Sequence, residues 1–194
     1  MYEGFENHRL GGTHDFWSGQ TPDELLAGPE EFEDLWSIHP EEYHDIIMRG
    51  QKRKTPRWQQ AYGKDYHYTG RVNQALPVLD VLQPYLEWVQ HTVNPALNGI
   101  LLNWYDASLG HYIGKHRDST VNMIPDTPIV TISFGEERVF RMRPWKQDGY
   151  EDYIATHGRV FIMPWDTNLA WTHEVPARKS YNQRRISLTF RAFT

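Results

Sequence analysis

The chain has 194 residues, 39% apolar and 14% aromatic, enough for one domain with a sizeable core and too few for two large ones. Its net charge of −5 lacks the cationic excess of a general nucleic-acid binder, and the absence of cysteine excludes disulfides, thiolate nucleophiles and cysteine-built zinc or iron–sulfur sites. Any metal has to sit on histidine and carboxylate ligands.

No apolar run approaches the roughly 18 residues of a spanning helix, and MYEGFENHRLGG has no basic-then-apolar leader pattern. A soluble intracellular protein of cytoplasm or nucleus is expected, without membrane contact or an obligate protein partner. The charges are uneven. Residues 21 to 45 are acidic, and Arg49, Lys52, Arg53, Lys54 and Arg57 form a basic cluster after them.

In chain order, Thr21-Pro22-Asp23-Glu24 fits a capped helix start, and Phe32, Leu35, Trp36, Tyr43, Ile46 and Ile47 supply an apolar helical face interrupted at Pro40. Leu79, Leu82, Leu86, Val89 and Val93 set a second helix over Leu76 to Val93, kinked or broken at Pro84. From Gly99 the pattern changes to strands: Ile100 to Tyr105, Ile129 to Phe134, Arg138 to Arg143, Arg159 to Met163, Leu169 to His173 and Arg185 to Phe193. Gly135-Glu136-Glu137 fits a hairpin turn. The expected fold is mostly β with flanking helices, a sandwich or double-sheet jelly roll. Residues 1–194 form one domain, with a helical extension and substrate lid over about 1–98 and the β core over about 99–194.

His116-Arg117-Asp118 offers an imidazole and a carboxylate two residues apart, able to point the same way from an extended segment, and His173 follows in a later strand. Two histidines and a carboxylate leave three open positions on a metal, as a redox iron that takes both a bidentate co-substrate and O₂ requires. Spacing alone equally allows a surface His116 and a hydrogen-bonded core His173. The segment from Arg185 to Arg191 favours the metal. Arg185, Ser187, Thr189 and Arg191 share one face of a strand and Ile186, Leu188 and Phe190 the other. A guanidinium inside a small barrel needs an anion, and a dicarboxylate such as 2-oxoglutarate fits its fork, whereas on an outer strand both arginines would be solvated.

These residues resemble the AlkB family of iron(II)/2-oxoglutarate dioxygenases from about Pro56 to the C-terminus. The family pattern Asn-x-Tyr, His-x-Asp, distal His and Arg-x-Asn-x-x-x-Arg is matched by Asn103-Trp104-Tyr105, His116-Arg117-Asp118, His173 and Arg185 through Arg191. The resemblance implies a double-stranded β-helix in which His116, Asp118 and His173 hold Fe(II), while Asn103, Tyr105, Arg185, Thr189 and Arg191 hold 2-oxoglutarate. Pro56 to Gly63 and Tyr66 to Gly70 are similar to the nucleotide-recognition lid of the eukaryotic nucleic-acid-repair branch, which assigns Arg57, Tyr66 and Tyr68 to substrate. An aromatic residue at the place of Tyr68 stacks on the methylated base in that branch.

Three positions depart from the pattern. Ser119-Thr120 follows His-x-Asp where base-acting members carry an acidic residue, Met48-Arg49-Gly50 has no aromatic wedge, and Ser187 replaces the asparagine. The implied activity couples decarboxylation of 2-oxoglutarate, with O₂, to hydroxylation of a C–H bond. Oxidative demethylation of alkylated nucleobases, single-stranded in preference, is the leading expectation. A dioxygenase acting on a small metabolite, amino acid or peptide is the alternative, and a binding module without turnover is a third.

Overall fold

The computed structural model describes residues 2–48, 50–68 and 70–194. Its strands are β1 (Glu6–Leu10), β2 (His14–Gln20), β3 (Asp45–Met48), β4 (Gln51–Lys54), β5 (Trp58–Tyr62), β6 (Tyr66–Tyr68), β7 (Arg71–Asn73), β8 (Gly99–Asp106), β9 (Ile113–His116), β10 (Ile129–Gly135), β11 (Arg138–Pro144), β12 (Glu151–Ala155), β13 (Arg159–Met163), β14 (Trp171–Val175) and β15 (Arg184–Arg191). The helices are α1 (Pro29–Ser37), α2 (Gln83–Thr92) and α3 (Trp165–Ala170). A large antiparallel sheet runs β1-β2-β13-β10-β15-β8-β5 and a small one β12-β11-β14-β9, the two-sheet arrangement of a jelly roll. β3 pairs with β4, and β6 with β7, as separate hairpins.

The period-2 alternation of β15 decides where the site lies. It pairs with β10 on one side and β8 on the other, so both of its edges are hydrogen-bonded and it lies inside the large sheet. Ile186, Leu188 and Phe190 pack with Leu35 of α1 and Leu86 and Val89 of α2, which makes the outer core. Arg185, Ser187, Thr189 and Arg191 therefore point to the space between the sheets. There Leu101, Ile129 and Phe161 of the large sheet meet Met142, Trp171 and Val175 of the small one.

α1 starts with Pro29 in its first turn and carries Glu30 and Glu31 at the positive end of its dipole. It stops at Ser37. The expected continuation through Tyr43, Ile46 and Ile47 is not helical: β3 pairs with β4, Asp45 opposite Lys54. Pro40 breaks the helix, and the β-branched pair with Asp45–Lys52 and Asp45–Lys54 contacts of 2.8 and 3.3 Å favours a hairpin. α2 starts only at Gln83. Pro84 sits in its first turn, where a missing N–H costs nothing, so it begins the helix rather than kinking it.

Three further expectations are corrected. Trp165–Ala170 is helix and the strand is Trp171–Val175, so Leu169 and Ala170 precede β14. Gly135-Glu136-Glu137 is not a hairpin turn, because β10 and β11 belong to different sheets. Gly135 has φ +87° and a Cβ there would collide with the Arg184 carbonyl, so the crossing needs glycine. The first 98 residues are not mainly helical: β1 and β2 extend one edge of the large sheet and β5 forms the other. Arg49 of the expected wedge position and Thr69 of the lid block lie outside the described residues. Among the described residues no helix is long and apolar enough to cross a membrane.

Candidate metal and co-substrate site

His116 ends β9 and stands directly opposite His173 of β14, with a register shift just beyond. Asp118 follows His116 by two residues, and one ligand atom from each of the three lies within 4.8 Å of the others. The His116 Nδ1 is 2.8 Å from the Gly114 carbonyl. A carbonyl only accepts, so Nδ1 carries the proton and Nε2 keeps its lone pair towards Asp118 Oδ1, 3.4 Å away. The His173 Nε2 is 3.6 Å from the same oxygen. Phe140 stacks on the His173 ring at 5.4 Å and fixes its plane.

Asp118 is held from behind. Asn168 of α3, fully buried, accepts from its backbone N–H at 2.9 Å and donates to its carbonyl at 3.2 Å. The Asp118 Oδ2 accepts from Arg191 Nη2 at 2.6 Å and Nε at 3.1 Å, leaving Oδ1 to face the imidazoles. Burial works to raise the Asp118 carboxyl, but the Arg191 guanidinium outweighs it and holds it well below the ordinary carboxylate range. Burial, assisted by His116, pushes His173 down to about 3 and keeps it neutral.

That shift has a consequence for stability in acid without metal. The folded value lies below the ordinary 6.5, so the unfolded chain binds the His173 proton more readily and stability falls as pH drops from 6.5 towards 3. Metal-free protein is expected to lose about 2 kcal/mol through His173 between neutral pH and pH 5. Urea midpoints of the wild type and His173→Gln at the two pH values check this: the variant should lose less, and parallel losses would contradict it.

Arg185 is fully buried and donates through Nη2 to Ser133 Oγ at 2.8 Å, its guanidinium 4.9 Å from the Tyr105 ring centre. Its Nε and Nη1 are buried without a partner among the described residues. Two idle charged donors aimed into a cavity fit a carboxylate. Cross-strand register places Tyr105 opposite Arg185 and Asn103 opposite Ser187, while Thr189 is in hydrogen-bond range of Thr131 at 3.4 Å. The donor set of His116, Asp118 and His173 fits Fe(II), and Arg185 fits a dicarboxylate co-substrate.

The residues assigned in the sequence to metal, co-substrate and substrate line one cavity: Arg57, Tyr66, Tyr68, Asn103, Tyr105, His116, Asp118, His173, Arg185, Thr189 and Arg191. Tyr66 and Tyr68 stack at 5.5 Å, and the Tyr66 hydroxyl reaches Asp118 Oδ1 at 3.5 Å. Arg57 donates from Nε to Asn103 Oδ1 at 2.7 Å and from Nη2 to Gln59 Oε1 at 3.0 Å, and Gln59 donates to the Tyr68 hydroxyl. Trp58 and Tyr62 are elsewhere: Trp58 stacks on His39 and Tyr43, and Tyr62 packs in the outer core. Asn168, Gln59, Ser133 and Phe140 had no role assigned from the sequence, because each acts on a partner distant in the chain.

A jelly roll carrying two imidazoles and one carboxylate between its sheets, beside a buried arginine with idle donors, is the architecture of the non-haem iron oxygenases. Residues 17–191 match the 2OG-Fe(II) oxygenase superfamily, and the chain belongs to it. It is 31% identical over 157 residues to the human "DNA oxidative demethylase ALKBH2", covering 75% of this chain and 60% of that protein. To the rat "Alpha-ketoglutarate-dependent dioxygenase alkB homolog 3" it is 30% identical over 125 residues, 60% of this chain and 41% of the relative. The chain thus spans about 60% of the length of the human ALKBH2 that it matches. The solved structure of OsALKBH1 shares the fold with a TM-score of 0.61 at 15% identity, over 96% of this chain and 99% of that one.

Proposed function

We propose that this chain, acting as a single domain, is an Fe(II)- and 2-oxoglutarate-dependent dioxygenase that oxidatively demethylates alkylated nucleobases, preferably in single-stranded nucleic acid. The observation that carries the chemistry is the cluster of His116, Asp118 and His173 in one cavity with the idle donors of Arg185. The similarity to proteins named as DNA oxidative demethylases and the stacked Tyr66–Tyr68 pair support the substrate class.

Iron held by His116, Asp118 and His173 supplies, with O₂ and 2-oxoglutarate, the oxidising power to hydroxylate a nearby C–H bond. Arg185, whose Nε and Nη1 have no other partner among the described residues, would hold a carboxylate of 2-oxoglutarate, with Asn103, Tyr105 and Thr189 lining the same cavity. Arg191 keeps Asp118 ionised and turned towards the imidazoles. Tyr68 stacks on the base and Tyr66 fills the wall beneath it, so that the methyl group is positioned rather than activated by acid–base chemistry. Hydroxylation of an N-methyl carbon leaves a hemiaminal, which breaks down to formaldehyde and the unmodified base.

Unstacking a base from a duplex costs a few kcal/mol, and Met48-Arg49-Gly50 provides no aromatic side chain to fill the gap, which favours single strands. Formaldehyde release is expected from methylated single-stranded oligonucleotides, less from duplexes and none from unmethylated controls. Tyr68→Ala should raise the KM for oligonucleotide by about tenfold or more, the worth of one stacked base. If methylated oligonucleotides, nucleosides and nucleotides all leave succinate formation at its uncoupled rate, the substrate is a smaller metabolite or a peptide instead.

A further inference from the structure

Asp118 is the only carboxylate lining the cavity among the described residues, and its Oδ2 is already taken by Arg191. Three guanidinium groups line the same space, Arg57, Arg185 and Arg191. A divalent metal and a dianionic co-substrate would cancel each other, so the loaded cavity keeps its positive excess. Arg57 is 7% exposed and makes no ion pair among the described residues; its hydrogen bonds go to neutral amides. Its Nη1 has no partner among them and remains a charged donor. Asp45, whose charge is felt at Tyr68, is neutralised by Lys52 and Lys54 at 2.8 and 3.3 Å. Only the backbone of Ser119 meets the Tyr66 hydroxyl, and its side chain carries no charge.

Methylation at N1 of adenine or N3 of cytosine makes the base a cation at neutral pH. Methylation at N3 of thymine or uracil leaves it neutral, with two carbonyl oxygens. A cationic base placed beside a buried guanidinium with no carboxylate to balance it is a like-charge contact, which is costly out of water. A carbonyl oxygen instead accepts a charge-assisted hydrogen bond from Arg57. We propose that Arg57 makes this site selective for neutral methylated bases that present a carbonyl acceptor, over bases that methylation makes cationic. The inference rests on the demethylase function above and names the lesion class.

The test compares short single-stranded oligonucleotides of one sequence carrying 3-methylthymine or 1-methyladenine, with the full chain, iron and 2-oxoglutarate. The expected kcat/KM for 3-methylthymine is at least about tenfold the higher. Fluorescence anisotropy with Mn(II) in place of iron should show the same order in binding. Arg57→Gln, which removes the charge and keeps an amide donor, should move the ratio about tenfold towards 1-methyladenine. Equal or better turnover and binding of 1-methyladenine by the wild type would overturn the inference while leaving the demethylase function standing, as would a ratio unmoved by Arg57→Gln. If 2-oxoglutarate is consumed and neither base is demethylated, the demethylase function fails and the inference with it.

Discussion

Replacing His116 with alanine is expected to abolish the conversion of 2-oxoglutarate to succinate, by a hundredfold or more, while the domain stays folded. Changes in residues that merely support a metal ligand typically cost about 10- to 100-fold, so loss of a ligand itself should cost at least the upper figure. The His116 side chain is 31% exposed and ends a four-residue strand at the sheet edge, so its truncation leaves no buried group unpaired. Asp118→Ala should be as damaging to activity and worse for stability, since it strands the buried Arg191 guanidinium without its carboxylate. Anaerobic iron titration and thermal melting separate the two effects, and unchanged iron affinity in both variants would remove these residues from the metal site.

Arg185→Ala should weaken 2-oxoglutarate binding by on the order of 3 kcal/mol, about a hundredfold, the usual cost of truncating one partner of a buried charged pair. Lys179→Ala, a surface charge removal of the same sign, is the control and should bind normally. Arg185→Lys restores a cation but not the fork, and is expected to recover only part of the loss. Calorimetry on the metal-loaded protein without O₂ measures all three. Equal affinities for Arg185→Ala and Lys179→Ala would refute the assignment.

β15 was legible in the sequence because the seven residues from Arg185 to Arg191 alternate without interruption and one face carries only polar groups; the structure buries each face where that alternation puts it. Strand β9 gave no such signal, being four residues long with Gly114 and Lys115 inside it, although it delivers His116. The polar β1 and β2 likewise carry little hydrophobic alternation, and pairing with β13 rather than intrinsic pattern makes β2 a strand. Leu169-Ala170-Trp171 looked like the start of a strand because short apolar runs do not distinguish helix from strand. What settles α3 is Asn168, whose partner Asp118 is fifty residues earlier in the chain, a distance over which sequence pattern has no reach. The candidate ligand and co-substrate residues stand out through their order and spacing, whereas the amide network of Arg57, Gln59 and Asn103 depends on β5 lying next to β8.

The grip on Asp118 bears on how a metal is chosen. With its backbone clasped by Asn168 and one oxygen occupied by Arg191, this carboxylate loses its rotational freedom during folding, not on ion capture. Binding then need not freeze it, and the second oxygen is not free to swing round and chelate. Large, oxygen-seeking cations such as calcium, which gather six to eight oxygen ligands and often use both oxygens of a carboxylate, find one oxygen and two nitrogens. Transition ions that accept imidazole and tolerate few protein ligands are the ones this rigidity admits.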